Sequence, residues 1–536
     1  MTRSRFPNSH RLIRTAGLAA ALGFLASPAF ADTTLKHALE ADLKSIDPIW
    51  TTASVTASHG FMVYDQLFAE DRKLATKPQM VDSWKSSPDG LTWDFTLRPG
   101  MKWHDGTPVT AKDIVPSIKR WGARIAAGQI TMTRVADITA TGEFTFQVKL
   151  KDQFGPLVQM LGASAQPLYV MSEKQATTDP FQQVDNPVGS GPFMMVKEEW
   201  VPGSKVVYKK YADYKPRSEP SDGYSGAKIV KVDRVEWTYV PDPATAVQAL
   251  IRGEFDTYQY PPTDFYQLLE SSSGVKTEII NKFGFNAVMR PNHLVKWTNN
   301  AKIRQAMLYA MDQQQSLDAM VGKKDLEKVC WAVFICGTPL ETNAGVGAWA
   351  TASPANVAKA KQMLQEAGYK GEPLVMMDPS QDQTLISAMT KVSAQLLKNA
   401  GFNVDLQSMD WGTLVTRRAL KDDPESNPKG WNIFHTTGTG NLAANPLTNN
   451  TVATPCDGKN WFGWPCDEEL NKLQQQFITT SSLEDQKKLA DKFQTRFYEV
   501  VPFVPLGQYY QKIAYRDNVT GILEVPNMAF WNIEKK

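Results

Sequence analysis

Hydrophobic and polar positions alternate most regularly between Val81 and Trp121. Pro88-Asp89-Gly90 makes a turn, because proline presets φ and glycine accepts φ > 0. Leu91, Trp93, Phe95 and Leu97 then alternate with Thr92, Asp94 and Thr96, the period of a half-buried strand. Arg98-Pro99-Gly100 turns the chain again, so that Met101 to Trp103 can pair back antiparallel. Beyond His104-Asp105-Gly106, Thr110 and Asp113 stand at capping-box spacing before a helix. A second alternating run, Phe144, Phe146, Val148 and Leu150, follows the turn at Thr141-Gly142-Glu143, so residues 66–184 read as rich in hairpins.

Elsewhere the pattern changes from period two to alternating helices and strands. Thr34 to Leu39 predicts a strand ending in the turn Ser45-Ile46-Asp47-Pro48. Asp242-Pro243 predicts a helix start, with Val247, Leu250 and Ile251 on one face and Gly253 closing it before a strand at Phe255 to Tyr258. Tyr258, Tyr260, Pro261 and Pro262 leave that strand, an exit of the kind that lines clefts in α/β domains. Further helices are predicted after Asn300, after Ser353-Pro354, from Ser387 to Ala400 and after Ser482. Strands at Leu374 to Met377 and Phe402 to Gln407 follow two of them across a glycine. The fold class is α/β.

Composition narrows the compartment more than the fold. Residues 1–31 carry Arg3, Arg5, Arg11 and Arg14, an apolar stretch from Ala16 to Ala26, and Ala29-Phe30-Ala31 as a cleavage site, the anatomy of a signal peptide. There is neither an arginine pair for the twin-arginine route nor a cysteine for a lipid anchor. Cleavage removes four arginines and no acid, turning a formal charge of +2 into −2, which argues against nucleic acid as a partner. In an oxidising compartment the four cysteines suggest two bridges. Three connectivities are possible, and the short separations favour Cys330–Cys336 and Cys456–Cys466. A zinc site at these cysteines is disfavoured by the absence of nearby histidines.

Chemistry is sparse. There is no H-E-x-x-H and no G-x-S-x-G, so neither a zinc hydrolase nor an α/β-hydrolase is supported. His104-Asp105 is an acid–base pair only on paper. The glycine-rich run from Asn186 to Phe193 has no lysine after its last glycine, which excludes a P-loop. Gly438 to Ala443 matches G-x-G-x-x-A, but Asn445-Pro446 arrives where a helix should continue.

The segment LTWDFTLRPGMKWHDGTPVTAKDI (91–114), followed by SIKRW on a helix, resembles the signature of the family 5 extracellular solute-binding proteins, the peptide, nickel and opine class of ABC importers. PVGSGPF (187–193), DPATAVQALIRGEFD (242–256) and IRQAMLYAMD (303–312) are similar to further motifs of that family. The resemblance implies a two-lobed periplasmic-binding-protein fold with an additional small β-rich domain. Lobe I would take residues 32–65, 185–290 and 510–536, the accessory β-rich domain 66–184, and lobe II 291–509.

The resemblance also implies a monomeric periplasmic receptor that captures a small-molecule or peptide-like ligand between the lobes. It would deliver this cargo to an inner-membrane ABC permease, with no cofactor, no bound metal and no catalysis. A periplasmic chaperone or sensor on the same fold, and a secreted hydrolase, are the rival readings.

In peptide-binding members a tryptophan is followed seven residues later by an arginine, both facing the ligand. The matching positions here are Trp411 and Arg418, with Arg417 as competitor. An indole offers an apolar stacking face and a guanidinium clamps a carboxylate. Where those members place an aspartate against the ligand's α-amino group, this chain has Asn441, or Asn445 with a different gap, which puts free-amine peptides in doubt. His435, Tyr260 and Asn286 complete the candidate set.

Overall fold

The structure, a computed structural model, describes residues 33–51, 53–380, 383–480 and 482–536. The signal-peptide reading of residues 1–31 lies outside the described residues.

Two large sheets dominate. The first has seven strands in the order Val275–Glu278, Ile513–Arg516, Thr257–Tyr258, Thr34–Leu39, Arg234–Tyr239, Lys205–Lys210 and Phe193–Met195. Thr34–Leu39 lies near its centre, parallel to both neighbours, and the other pairings are antiparallel. The strand therefore reads Leu35 0%, Ala38 0% and Leu39 5% exposed, as a strand buried on both faces should. The helix Pro243–Ile251 begins as expected, Asp242 Oδ2 accepting from the Thr245 amide at 2.8 Å.

The second sheet has six strands in the order Glu327–Lys328, Val504–Tyr509, Phe285–Pro291, Ile433–Thr439, Pro373–Asp378 and Asn403–Ser408. Phe285–Pro291 pairs with Ile433–Thr439 on one side and Val504–Tyr509 on the other. The sequence division, which carried lobe I to residue 290, cuts through this strand. The chain has already crossed to the second sheet by Phe285.

Side chains of the second sheet divide by parity. Leu374, Met376 and Ile433 join the main core, and the helices Gln313–Met320 and Thr384–Asn399 pack on the sheet. Val375, Met377 and Phe434 face the other way, into an aromatic cluster with Trp431 and Trp464. The two disulfides form as the short separations suggested, Cys330–Cys336 with sulfurs 2.09 Å apart and Cys456–Cys466 with sulfurs 1.99 Å apart.

The signature segment builds a separate antiparallel sheet of four strands, Val81–Ser86, Thr92–Leu97, Thr145–Leu150 and Val135–Ala140. The two alternating runs are neighbours in it, with Phe95 and Phe146 stacked at 4.8 Å. Met101–Trp103 does not return to this sheet. It pairs across the His104–Gly106 turn, where Trp103 N donates to Thr107 O and Val109 N to Met101 O. Thr110 and Asp113 form the expected capping box on the helix Ala111–Arg124.

His104 is fully committed to the backbone. The Gly189 amide donates to Nδ1 at 3.1 Å, so Nε2 carries the proton and donates to Gly191 O at 3.0 Å. A Cβ on Gly189 would stand 1.8 Å from Val63 O, so this run is glycine-rich to let two backbones meet. Arg120, from the same signature helix, reaches Asp47 at 2.8 Å with both side chains buried, which ties the four-stranded unit to the first sheet's opening segment.

Candidate functional site

A narrow crevice lies among Ser164, Tyr224, Phe283 and Pro526, with ≈ 310 Å³ of empty space including its mouth. Its walls come from different parts of the fold. Ser164 follows the helix Leu157–Gly162 of the signature unit, and Phe283 stands where the chain enters the second sheet.

Side chains from the signature unit and from the second sheet's unit meet here. Asn441 Nδ2 donates to Ser164 Oγ at 3.0 Å, and Gln166 Nε2 donates to Thr448 O at 2.7 Å. Nearby, Arg134 donates to Gln475 Oε1 at 2.9 Å. Ser164 passes the connection on, since its amide and hydroxyl both donate to Glu70 Oε2. Burial lifts the Glu70 carboxyl to about 7, against the pull of Ser164.

Asn441 is 5% exposed and its Oδ1 has no donor within the protein. It lies on the short helix Gly440–Ala444 directly after the strand Ile433–Thr439. A Cβ on Gly440 would fall 2.1 Å from Phe283 O, and one on Gly438 would fall 2.8 Å from Asn286 Oδ1. The G-x-G-x-x-A match is thus explained by close packing against the strand Phe285–Pro291.

Asn286, half-buried on that strand, sits in register between Gly438 and Gln508. Its Oδ1 and Gln508 Oε1 also lack donors. Tyr260 is buried at φ 54°, an uncommon conformation for a bulky residue. Its hydroxyl donates to Pro526 O at 2.9 Å and its ring meets Phe285 edge-on at 5.5 Å. Asn441 thus reaches the crevice residue Ser164 and Tyr260 reaches the crevice residue Pro526, while Asn286 stands between Gly438 and Gln508 in the sheet.

Trp411, Arg418 and His435 are placed elsewhere. Trp411 opens the helix Trp411–Arg417, capped by Asp410, at the end of the strand Asn403–Ser408. Arg418 lies beside it with its guanidinium carbon 5.7 Å from the Trp411 ring, 5.7 Å from Phe434, 5.6 Å from Trp461 and 4.5 Å from Phe462. Among the described residues no carboxylate pairs with it, and burial lowers its pKa to about 10.

Arg417 is engaged differently, donating to the carbonyls of Lys429 at 2.8 Å and Gly430 at 2.8 Å. His435 is fully buried, with neither ring nitrogen hydrogen-bonded, and burial lowers it to about 3. By strand parity it shares the face of Ile433, opposite to Phe434 and Arg418.

Sequence reasoning missed Glu40, Glu70, Ser164 and Gln508. Glu40 immediately follows the central parallel strand of the first sheet, at its C-terminal end, where open α/β sheets place ligands. It is exposed, yet surrounding protein lifts its carboxyl to about 7 by desolvation. Burial raises the phenols of Tyr258, Tyr260 and Tyr509, and the charge of Glu40 adds to the rise. Among the described residues no group of three or more His, Cys, Asp or Glu could hold a metal, and no helix is long and apolar enough to cross a membrane.

Comparison with known proteins gives a family. The model of bacterial extracellular solute-binding proteins, family 5, matches residues 75–450. A probable peptide ABC transporter periplasmic-binding protein of Sinorhizobium fredii is 38% identical over 507 residues, 94% of each chain. A glutathione-binding protein of Pectobacterium atrosepticum is 25% identical over 535 residues, 97% of each chain. Among solved structures, the binding protein AgaA of A. tumefaciens R10 in complex with agropinic acid superposes with a TM-score of 0.78. It is 20% identical, over 94% of this chain and 99% of that one, and shares the two-lobed fold. The chain belongs to the bacterial extracellular solute-binding proteins of family 5.

Proposed function

We propose that the protein is the periplasmic receptor of an ABC importer, holding a peptide-like or other small polar solute in the crevice around Ser164, Phe283 and Asn441. Lobe I is built on the seven-stranded sheet and lobe II on the six-stranded sheet, with the signature unit as accessory domain. The lobe boundary falls before Phe285 and again between Tyr509 and Ile513, where the chain recrosses. These two crossings are the hinge, and cargo contacts from both sides favour the closed form over the open one. The closed receptor docks on a membrane permease, which reopens it and takes the cargo.

The observation that carries this reading is the meeting of Asn441 with the crevice residue Ser164 and of Gln166 with Thr448, with Asn441 Oδ1 left unpaired beside it. The peptide and glutathione named for the two relatives set the cargo's size and polarity. A binding role is favoured over catalysis because His104 is bound to backbone and His435 is sealed, which withholds both imidazoles from a reacting group. Native mass spectrometry of protein purified without denaturation tests the reading. Retained mass of a few hundred daltons at one per chain is expected. Absence of cargo, together with no thermal-shift response to peptides, glutathione, opines or sugars, contradicts it.

A further inference from the structure

Asn441 stands on weak local support. Its helix, Gly440–Ala444, has five residues and no side-chain cap, whereas isolated helices are marginal even at about 12–15 residues. Gly440 N donates to Gly284 O at 2.8 Å, and Asn449 Nδ2 donates to Ala443 O at 3.4 Å. Neither bond touches Asn441. Yet its amide must be aimed so that Nδ2 reaches Ser164 while Oδ1 stays unpaired.

Apolar support comes from the loop closed by Cys330 and Cys336. Cys330, Ala332, Ile335 and Cys336 form one small buried cluster with Ala443, and Ala444 packs against it. The cluster is separate from the main core, to which Trp331, Val333 and Phe334 of the same loop belong. Loop residues thus face two ways. Phe334 packs on Phe477 at 5.7 Å and Phe493 at 5.2 Å, while its neighbour Ile335 joins the cluster of Ala443. Ile335 does so at φ 59° and 2% exposed, a conformation uncommon for a β-branched residue. The disulfide closes the chain around this turn.

The loop is fixed in its turn by two helices. Gln313, on the helix Gln313–Met320, accepts from the Cys330 amide at 2.8 Å and donates to Cys330 O at 3.0 Å. From the helix Leu483–Val500, Gln494 Oε1 accepts from Val333 N at 2.8 Å and Tyr498 Oη donates to Trp331 O. Contacts therefore run from both helices through the disulfide loop to the helix of Asn441, and on to the crevice residue Ser164.

Resting on the receptor reading above, we propose that the Cys330–Cys336 loop is a positioning element of the binding site. It fixes the turn that carries Asn441, and so sets cargo affinity without itself meeting cargo. Because its cluster stands apart from the main core, loss of the disulfide should loosen residues 440–445 and weaken binding while the lobes stay folded.

Hydrogen–deuterium exchange and titration calorimetry of the mature chain test this, with glutathione and trialanine as probes. Cys330→Ala combined with Cys336→Ala should speed amide exchange across 440–445 about ten-fold or more. It should lower affinity for whichever probe the parent binds by about ten-fold, the loss of one well-aimed hydrogen bond. Ile335→Gly keeps the disulfide and the left-handed turn but removes the contact with the cluster, and should move both readouts the same way by about three-fold. Trp103→Ala, a destabilised control in the signature segment, should leave both within about two-fold of the parent. If the double variant does not fold, Ile335→Gly decides alone. Parental exchange in the loop variants, parental affinity despite faster exchange, or an equal effect of Trp103→Ala overturns the inference and leaves the receptor reading standing. A parent that binds neither probe counts against the receptor reading, and exchange, which needs no ligand, then decides the role of the loop.

Discussion

Gln166 offers the sharpest test of closure. Its side chain is 5% exposed and works at both ends: Oε1 accepts from the Ala127 amide at 2.7 Å, and Nε2 donates to Thr448 O at 2.7 Å, in the second sheet's unit. Gln166→Glu keeps the acceptor for Ala127 and turns the other end from donor to acceptor against a carbonyl. The closed form then loses one buried hydrogen bond and keeps an unsatisfied oxygen, a penalty of about 1–3 kcal/mol. In the open form both groups reach water and the penalty disappears.

The open–closed equilibrium should therefore move by roughly 5- to 150-fold toward open. Because cargo is held by the closed form, apparent affinity falls by the same factor wherever open protein predominates without cargo. Titration calorimetry with the retained cargo reads the affinity, and guanidinium denaturation of cargo-free protein checks that global stability is kept. A Gln166→Glu protein that folds normally and binds cargo as tightly as the parent refutes the reasoning.

Trp103 is 2% exposed in the signature segment, with its carbonyl bonded by Tyr211 Oη at 2.7 Å, so Trp103→Ala should cost about 3–5 kcal/mol in denaturant titration. Ranking of ligands in the same panel should be unchanged. Arg418 has no anionic partner to orphan among the described residues, so Arg418→Met should keep the fold in thermal melts while losing about ten-fold in affinity for carboxylate-bearing cargo. For the pH dependence, Glu40 and Glu70 hold protons up to about 7 when folded but lose them from 4.5 when unfolded. Stability of cargo-free protein should thus fall as pH rises from about 4.5 to 7 through these two groups, and Glu40→Gln with Glu70→Gln should flatten that slope in melts across the window.

Much of the fold was legible because its signals are local. The alternation of Leu91 to Leu97, the Thr110–Asp113 box, the Asp242-Pro243 start and the short cysteine separations each depend on neighbours in sequence, and each is formed. The boundary read at residue 290 falls inside Phe285–Pro291, a strand buried except at half-buried Asn286, and such a run does not say which sheet it joins. Its partners are some 140 and 220 residues away.

The site was legible in part for the same reason. Trp411 and Arg418 do stand side by side, and Arg417 is separated from Arg418 by the carbonyls of Lys429 and Gly430, a distinction the helix alone does not make. Asn441 proved to be at a meeting of two units. Glu40 and Glu70 carry no local mark, since an acid becomes notable only when tertiary packing withholds its counter-charge.

The central claim is capture by closure, and small-angle scattering tests it most directly. Cargo-free protein, prepared by partial unfolding and refolding, should have a larger radius of gyration than the same protein saturated with its retained cargo. The scattering of the loaded form should match the structure described here, in which Asn441 meets Ser164 and Gln166 meets Thr448. An identical radius with and without saturating cargo would contradict the account.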